Sequence, residues 1–300
     1  VERVQFGGWN NVARLASGSA EMLVTLDVGP RIISLRLGDG PNLMHVFPQD
    51  AGARGGDAYR FYGGHRLWIA PEEPVRTMQP DNDPVEVVED GEEFSFVSVP
   101  DRFHIQKALT IEPLGNEAFR VTHSVENQSP YSAELALWAL SMCAAGGEVL
   151  FPAPPFESHT DRVLPAGPLV RWGYTRLGDP RFTWGDRVIR LRQDSAAGPN
   201  KIGAYVDAGY AGYRNGGTVL MKRFPAEFGA DYPDYGCNFE TFTNQEMIEI
   251  ESLGEFVDLG PNEVVVHTET WALFGGQSVP ENEDALAEWL ADLAARTPTP

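Results

Sequence analysis

The chain has 300 residues and a hydrophobic fraction of 42%, enough for a sizeable core in one large domain or two modest ones. Its formal net charge of -20 argues against a nucleic acid or an acidic membrane surface as partner, because like charges repel. No run approaches the roughly 18 consecutive apolar residues of a membrane-spanning helix, and a start at Val1 in place of Met points to trimming, which leaves any targeting segment unseen and the compartment open.

In chain order, most segments read as short strands punctuated by Gly, Pro, Asn and Asp. Val85 to Glu89, Asp90-Gly91 and Glu92 to Val99 predict a hairpin, since Asp-Gly suits a tight turn. Phe103, Ile105, Leu109 and Ile111 alternate with polar or small residues, the period of a half-buried strand. Leu114 to Glu117 turns the chain, and Phe119, Val121, His123 and Val125 then share a face. Phe151 to Pro180 is rich in Pro and Gly and predicts a long loop excursion; residues 193 to 200 predict another. Strands follow at Val188 to Leu191, Thr218 to Lys222, Phe239 to Thr243, Met247 to Ser252 and Val264 to Leu273. Near the end, Leu286, Trp289, Leu290 and Leu293 form the stripe of an amphipathic helix, with Ser278 and Glu281 as its capping box. The expectation is an all-β antiparallel sandwich over residues 1–277, a helix over 278–296 packed on its outside, and a tail over 297–300.

Three stretches carry chemistry. Phe61 to Glu72 gathers three aromatics, His65, Arg66 and a carboxylate around Gly63-Gly64. Arg offers a planar donor fork and Trp68 a flat apolar face, which together suit a polar ring such as a sugar. In Met247 to Ser252, strand alternation sends Ile248 and Ile250 to the core and Glu249 and Glu251 to the other face, about 7 Å apart. Two such carboxylates need a cation, an Arg or a retained proton, and a retained proton allows acid-base work. Asn238, Glu240 and Phe242 share one face of the preceding segment, and a hairpin through Asn244 to Glu246 would bring Glu240 near Glu249 or Glu251. That oxygen-rich set would also suit calcium, yet no tight Asp/Asn loop is present, and no metal or other cofactor is expected. His123 reads as a satisfied core histidine, and His267 is ambiguous. No zinc spacing, nucleophile elbow, P-loop or dinucleotide fingerprint occurs. Cys143 and Cys237 predict two free, partly buried thiols.

Taken in order, Thr25 to Leu35, Pro41 to Met44, Tyr62 to Trp68 with Pro71-Glu72, Val125 to Met142, and Glu249 to Ser252 resemble the galactose mutarotase-like superfamily, which includes aldose 1-epimerases. The resemblance implies a supersandwich of two large antiparallel sheets with a sugar site on an open sheet face. It implies a Glu that takes the proton from the anomeric hydroxyl, best matched by Glu251 and then Glu249. It also implies a His that protonates the ring oxygen. The corresponding strand, Glu134 to Ser141, has no His; Trp138 stands about where it belongs, and His65 is assigned as the substitute. Tyr62, Arg66, Trp68, Glu72, Trp138, Asn238 and Glu240 complete the expected sugar site. The expected partner is a monosaccharide or a glycan end. Anomer interconversion is the nominal reaction; the alternatives are a non-catalytic binding module or sensor, and a glycoside lyase or hydrolase on the same scaffold.

Overall fold

Alternating apolar residues bury one face of each strand, and two sheets laid face to face bury both faces at once. The computed structural model describes all 300 residues, Val1–Pro300, as this arrangement. One antiparallel sheet has eleven strands, the other ten. The centre of the first runs Arg31–Leu37, His65–Ala70, Ala133–Cys143, Ile248–Leu253, Phe239–Thr243 and Asn200–Ala204, each bonded to the next. The centre of the second runs Thr218–Arg223, Val264–Phe274, Ala118–Asn127 and Ile105–Gly115. A continuous core of 40 buried residues fills the space between them, including Leu67, Ile69, Ile248 and Ile250 from the first sheet and Leu109, Ile111, Phe119 and Val121 from the second. No helix is long and apolar enough to cross a membrane.

The expected hairpin forms between Glu86–Asp90 and Glu93–Val97, but Asp90 pairs with Glu93, so Gly91 and Glu92 make the turn. Gly91, at φ 62°, takes the left-handed position there. The C-terminal helix is Glu283–Arg296, and its Leu286, Leu290 and Leu293 pack on Val219, Met221 and Ala272, on the second sheet's outer face. Its cap is Asn282, whose side chain accepts from the Ala285 amide, and not the expected Ser278 with Glu281. Asn282 is the residue followed directly by the acidic first turn, Glu283 and Asp284. The excursion after Phe151 is mostly loop, but Leu169–Arg171 returns as an edge strand of the first sheet. Both cysteines are free and buried.

Candidate functional site on the outer face of the first sheet

The His65–Ala70 strand sends Arg66 and Trp68 to the face turned away from the second sheet. In the next strand Leu140 lies opposite Arg66 and Trp138 opposite Trp68. Beyond it, Glu251 lies opposite Leu140 and Glu249 opposite Met142. Glu240 then lies directly across from Glu251. Registry alone therefore collects Arg66, Trp68, Trp138, Glu249, Glu251 and Glu240 on one surface.

Lys201, from the neighbouring Asn200–Ala204 strand, inserts among these acids. Its ammonium is 2.6 Å from Glu240 Oε2 and 3.2 Å from Glu251 Oε2, and it lies over the rings of Trp138 and Trp172 at 4.5 and 4.7 Å. Trp138 Nε1 donates to Glu251 Oε2 at 2.8 Å. Burial works against the charge on Lys201, but Glu240 and Glu251 together hold its pKa above the usual lysine range. For the carboxyls burial dominates and raises all three, Glu240 and Glu249 furthest. Three buried carboxyls beside one ammonium repel each other in a dry site, which favours their protonated forms. Glu249 is the most open of the three at 6% exposure, against 1% for Glu251 and 0% for Glu240.

Arg66 is the other notable group. It is 2% exposed, and its guanidinium lies over the Trp68 ring at 4.0 Å, with Tyr59 and Phe61 further out. None of its three side-chain nitrogens has a protein hydrogen-bond partner. A cavity of about 570 Å³ opens beside Arg66, Trp68 and Tyr59. None of the three glutamates lines it.

Several expected site residues lie elsewhere. His65 does not share the site with Arg66 and Glu251. Adjacent strand residues point to opposite faces, so His65 points between the sheets and is fully buried. There its Nε2 is 2.7 Å from His123 Nε2 and its Nδ1 is 2.8 Å from Ser141 Oγ. His123 Nδ1 donates to the His267 carbonyl at 2.8 Å, Ser252 Oγ lies 2.6 Å from His267 Nε2, and Lys222 pairs with Glu269 at 2.8 Å. The donor atoms of His65, His123 and Glu269 fall within 4.8 Å of one another, with the carboxylate already neutralised by Lys222. Burial lowers the pKa of all three histidines, that of His267 to about 3. Asn238 is consumed by a clamp on the Val206 backbone, accepting at 2.7 Å and donating at 3.1 Å. Tyr62 is buried with Trp9 and Ile33, and its hydroxyl donates to Asn82 Oδ1 at 2.7 Å. Gly63 and Gly64 serve the chain itself: a Cβ on Gly63 would lie 2.1 Å from the His45 carbonyl oxygen, and one on Gly64 2.3 Å from that of Ile32. Glu72 is exposed, near enough to Glu249 and Glu251 to favour their protonated forms.

Sequence reasoning passed over Lys201 and Lys107, yet a signal was present. The chain has three lysines, Lys107, Lys201 and Lys222, among 23 basic residues. Lys201 and Lys222 are buried against glutamates and Lys107 lines the cavity. Where arginine serves for nearly every surface cation, two of the three lysines mark interior positions and the third lines the cavity.

No protein-family profile and no curated protein sequence matches the chain. Solved structures do. A galactose mutarotase-like protein from Lactobacillus casei superposes with a TM-score of 0.57 at 13% identity, covering 88% of this chain and 100% of that one. The chain has the galactose mutarotase-like fold. A galactose mutarotase related enzyme from Lactobacillus acidophilus superposes on the same fold with a TM-score of 0.55 at 9% identity, over 89% of this chain and 98% of that one. A mutarotase-like protein from Clostridium acetobutylicum does so with a TM-score of 0.52 at 12% identity, over 91% and 98%.

Proposed function

We propose that this mutarotase-like chain is a carbohydrate-active protein that holds a sugar against Arg66 and Trp68 and interconverts its anomers. One observation carries the reading: the buried Arg66 guanidinium lies 4.0 Å over an indole with all three side-chain nitrogens unpartnered, beside a cavity. Leaving buried donors unpaired costs about 1–3 kcal/mol or more each. The oxygens of a polar ring would supply the acceptors while its C–H face rests on an aromatic wall. The solved neighbours include a galactose mutarotase-like protein and a galactose mutarotase related enzyme, in keeping with this choice of ligand.

For the chemistry, two carboxyls on one face with unequal environments make an acid and a base. Burial and the neighbouring Glu251 favour the protonated form of Glu249, which suits it to protonate the ring oxygen of a sugar that reaches from the cavity past Trp68 to the acids. Glu251, turned toward Lys201 and the Trp138 N–H, is the better carboxylate and accepts the anomeric proton. Breaking the C1–O5 bond, rotating about C1–C2 and reclosing gives the other anomer. NMR of freshly dissolved α-glucose and α-galactose tests this: the expected result is equilibration faster than the spontaneous rate, lost in Glu249→Gln. A binding-only reading is favoured by one observation, that Glu251 is nearly sealed by its own partners. Sugar binding by calorimetry with no rate acceleration selects it. Absence of binding by any aldose or its derivatives removes both.

A further inference from the structure

The cavity beside Arg66 has a charge pattern that a neutral sugar does not use. Four cationic side chains and four aspartates line it. Arg31 is already matched: its Nη2 lies 2.7 Å from Asp81 Oδ2, and its Nη1 donates to the Phe61 carbonyl at 2.8 Å. Arg102 stacks on Phe103 at 5.0 Å on the exposed rim. Arg66 and Lys107 remain. Arg66 has no protein partner for any of its guanidinium nitrogens, and Lys107, half-buried on the inward side of the Ile105–Gly115 strand, forms no ion pair. Asp101, which also lines the cavity, turns one oxygen onto the Phe103 and Ile105 amides at 2.8 and 3.0 Å. A buried guanidinium without a hydrogen-bond partner and a half-buried ammonium without an ion pair leave donors that a ligand anion would satisfy.

We propose that this cavity binds a sugar bearing a carboxylate, a hexuronate, with Arg66 and Lys107 gripping the carboxylate and Trp68 and Tyr59 bordering the ring. The inference rests on the sugar-binding reading above and names the class of sugar. The planar Arg66 fork, 4.0 Å over the Trp68 ring, would match a planar carboxylate through two parallel N–H···O bonds. Lys107 adds a point charge from the second sheet. The four aspartates in the wall favour a monoanion over a phosphate dianion, which they would repel twice as strongly. The cavity volume lies within the roughly 300–1,000 Å³ of small-molecule sites. Burial lowers the pKa of both groups, with Asp101 and Asp81 opposing it at Lys107; an incoming anion would favour their charged forms.

Calorimetry on the whole chain with glucuronate, galacturonate, glucose, galactose, glucose 6-phosphate and acetate tests the idea. A hexuronate should bind at least about tenfold tighter than its parent hexose and weaken as salt rises. Lys107→Met and Arg66→Met should each weaken hexuronate binding about tenfold to a hundredfold while bringing it closer to hexose binding. Lys107→Met sits at a half-exposed position and keeps the test open if Arg66→Met does not fold. Equal affinity for hexose and hexuronate overturns the inference and leaves sugar binding standing. Tighter binding of glucose 6-phosphate than of hexuronate overturns the carboxylate assignment. Acetate matching the hexuronates overturns both the inference and the sugar reading, and identifies a simple anion site.

Discussion

Removal of the Lys201 ammonium is the sharpest probe of the acidic face. In Lys201→Met the stem is kept and the charge lost, so Glu240 and Glu251, at 2.6 and 3.2 Å from the ammonium in the native chain, face each other across two strands without their cation. All three side chains are at most 5% exposed, so solvent cannot replace the ammonium. Breaking a buried pair of this kind costs about 3–5 kcal/mol. At a urea m-value near 3 kcal/mol/M that is a fall of about 1 to 1.7 M in the unfolding midpoint. The loss depends on pH with a definite sign. Without Lys201 the folded-state carboxyl pKa values rise further above the ordinary 4.5, so the folded chain keeps protons that the unfolded chain has released. Stability then falls as pH rises toward the folded pKa, by up to about 1.4 kcal/mol per pH unit for each retained proton. The penalty in Lys201→Met should therefore be larger at pH 8 than at pH 5.5, and Glu240→Gln added to it should recover part of the loss. Urea unfolding followed by tryptophan fluorescence at both pH values reads this directly. A Lys201→Met chain within about 0.5 kcal/mol of the native one at both pH values would refute the claim that these carboxyls are buried together.

Other outcomes follow from the same geometry. The buried histidines refuse protons that the unfolded chain accepts below about pH 6.5, so each contributes stability present at neutral pH and lost as pH falls; replacing His267, held at about 3, by Gln should reduce the loss between pH 7 and 5 by about 2 kcal/mol, measured against the native chain so that the oppositely signed effect of the glutamates cancels. Gly64→Ala should destabilise by more than about 2 kcal/mol, because a Cβ 2.3 Å from the Ile32 carbonyl oxygen at φ 73° has no room to relax; thermal unfolding checks it. Tyr62→Phe should cost about 1 kcal/mol through the lost bond to Asn82 and leave sugar affinity unchanged in calorimetry.

The β architecture was legible because burial leaves a period of two in the residues themselves. Phe119, Val121, His123 and Val125 announce an inward face, and all four are buried. The Glu249 and Glu251 pair was legible for the same reason, since Ile248 and Ile250 between them had to enter the core. That rule, applied strictly to His65 and Arg66, would also have parted them: consecutive strand residues cannot serve one face. The dense Phe61 to Glu72 cluster instead suggested a single site, when two of its members, Tyr62 and His65, belong to separate interiors.

By itself, then, the sequence determined the strand-rich class, the inward and outward faces of each strand and the terminal amphipathic helix, because these depend on neighbours two to seven positions away. Which strands pair, and in what register, was decided only by tertiary structure. Lys201 reaches Glu251 across 50 positions and His65 reaches His123 across 58. No local period encodes such a meeting. It follows from closing two whole sheets around a shared core, and that closure alone set Arg66 against a cavity with its donors unspent.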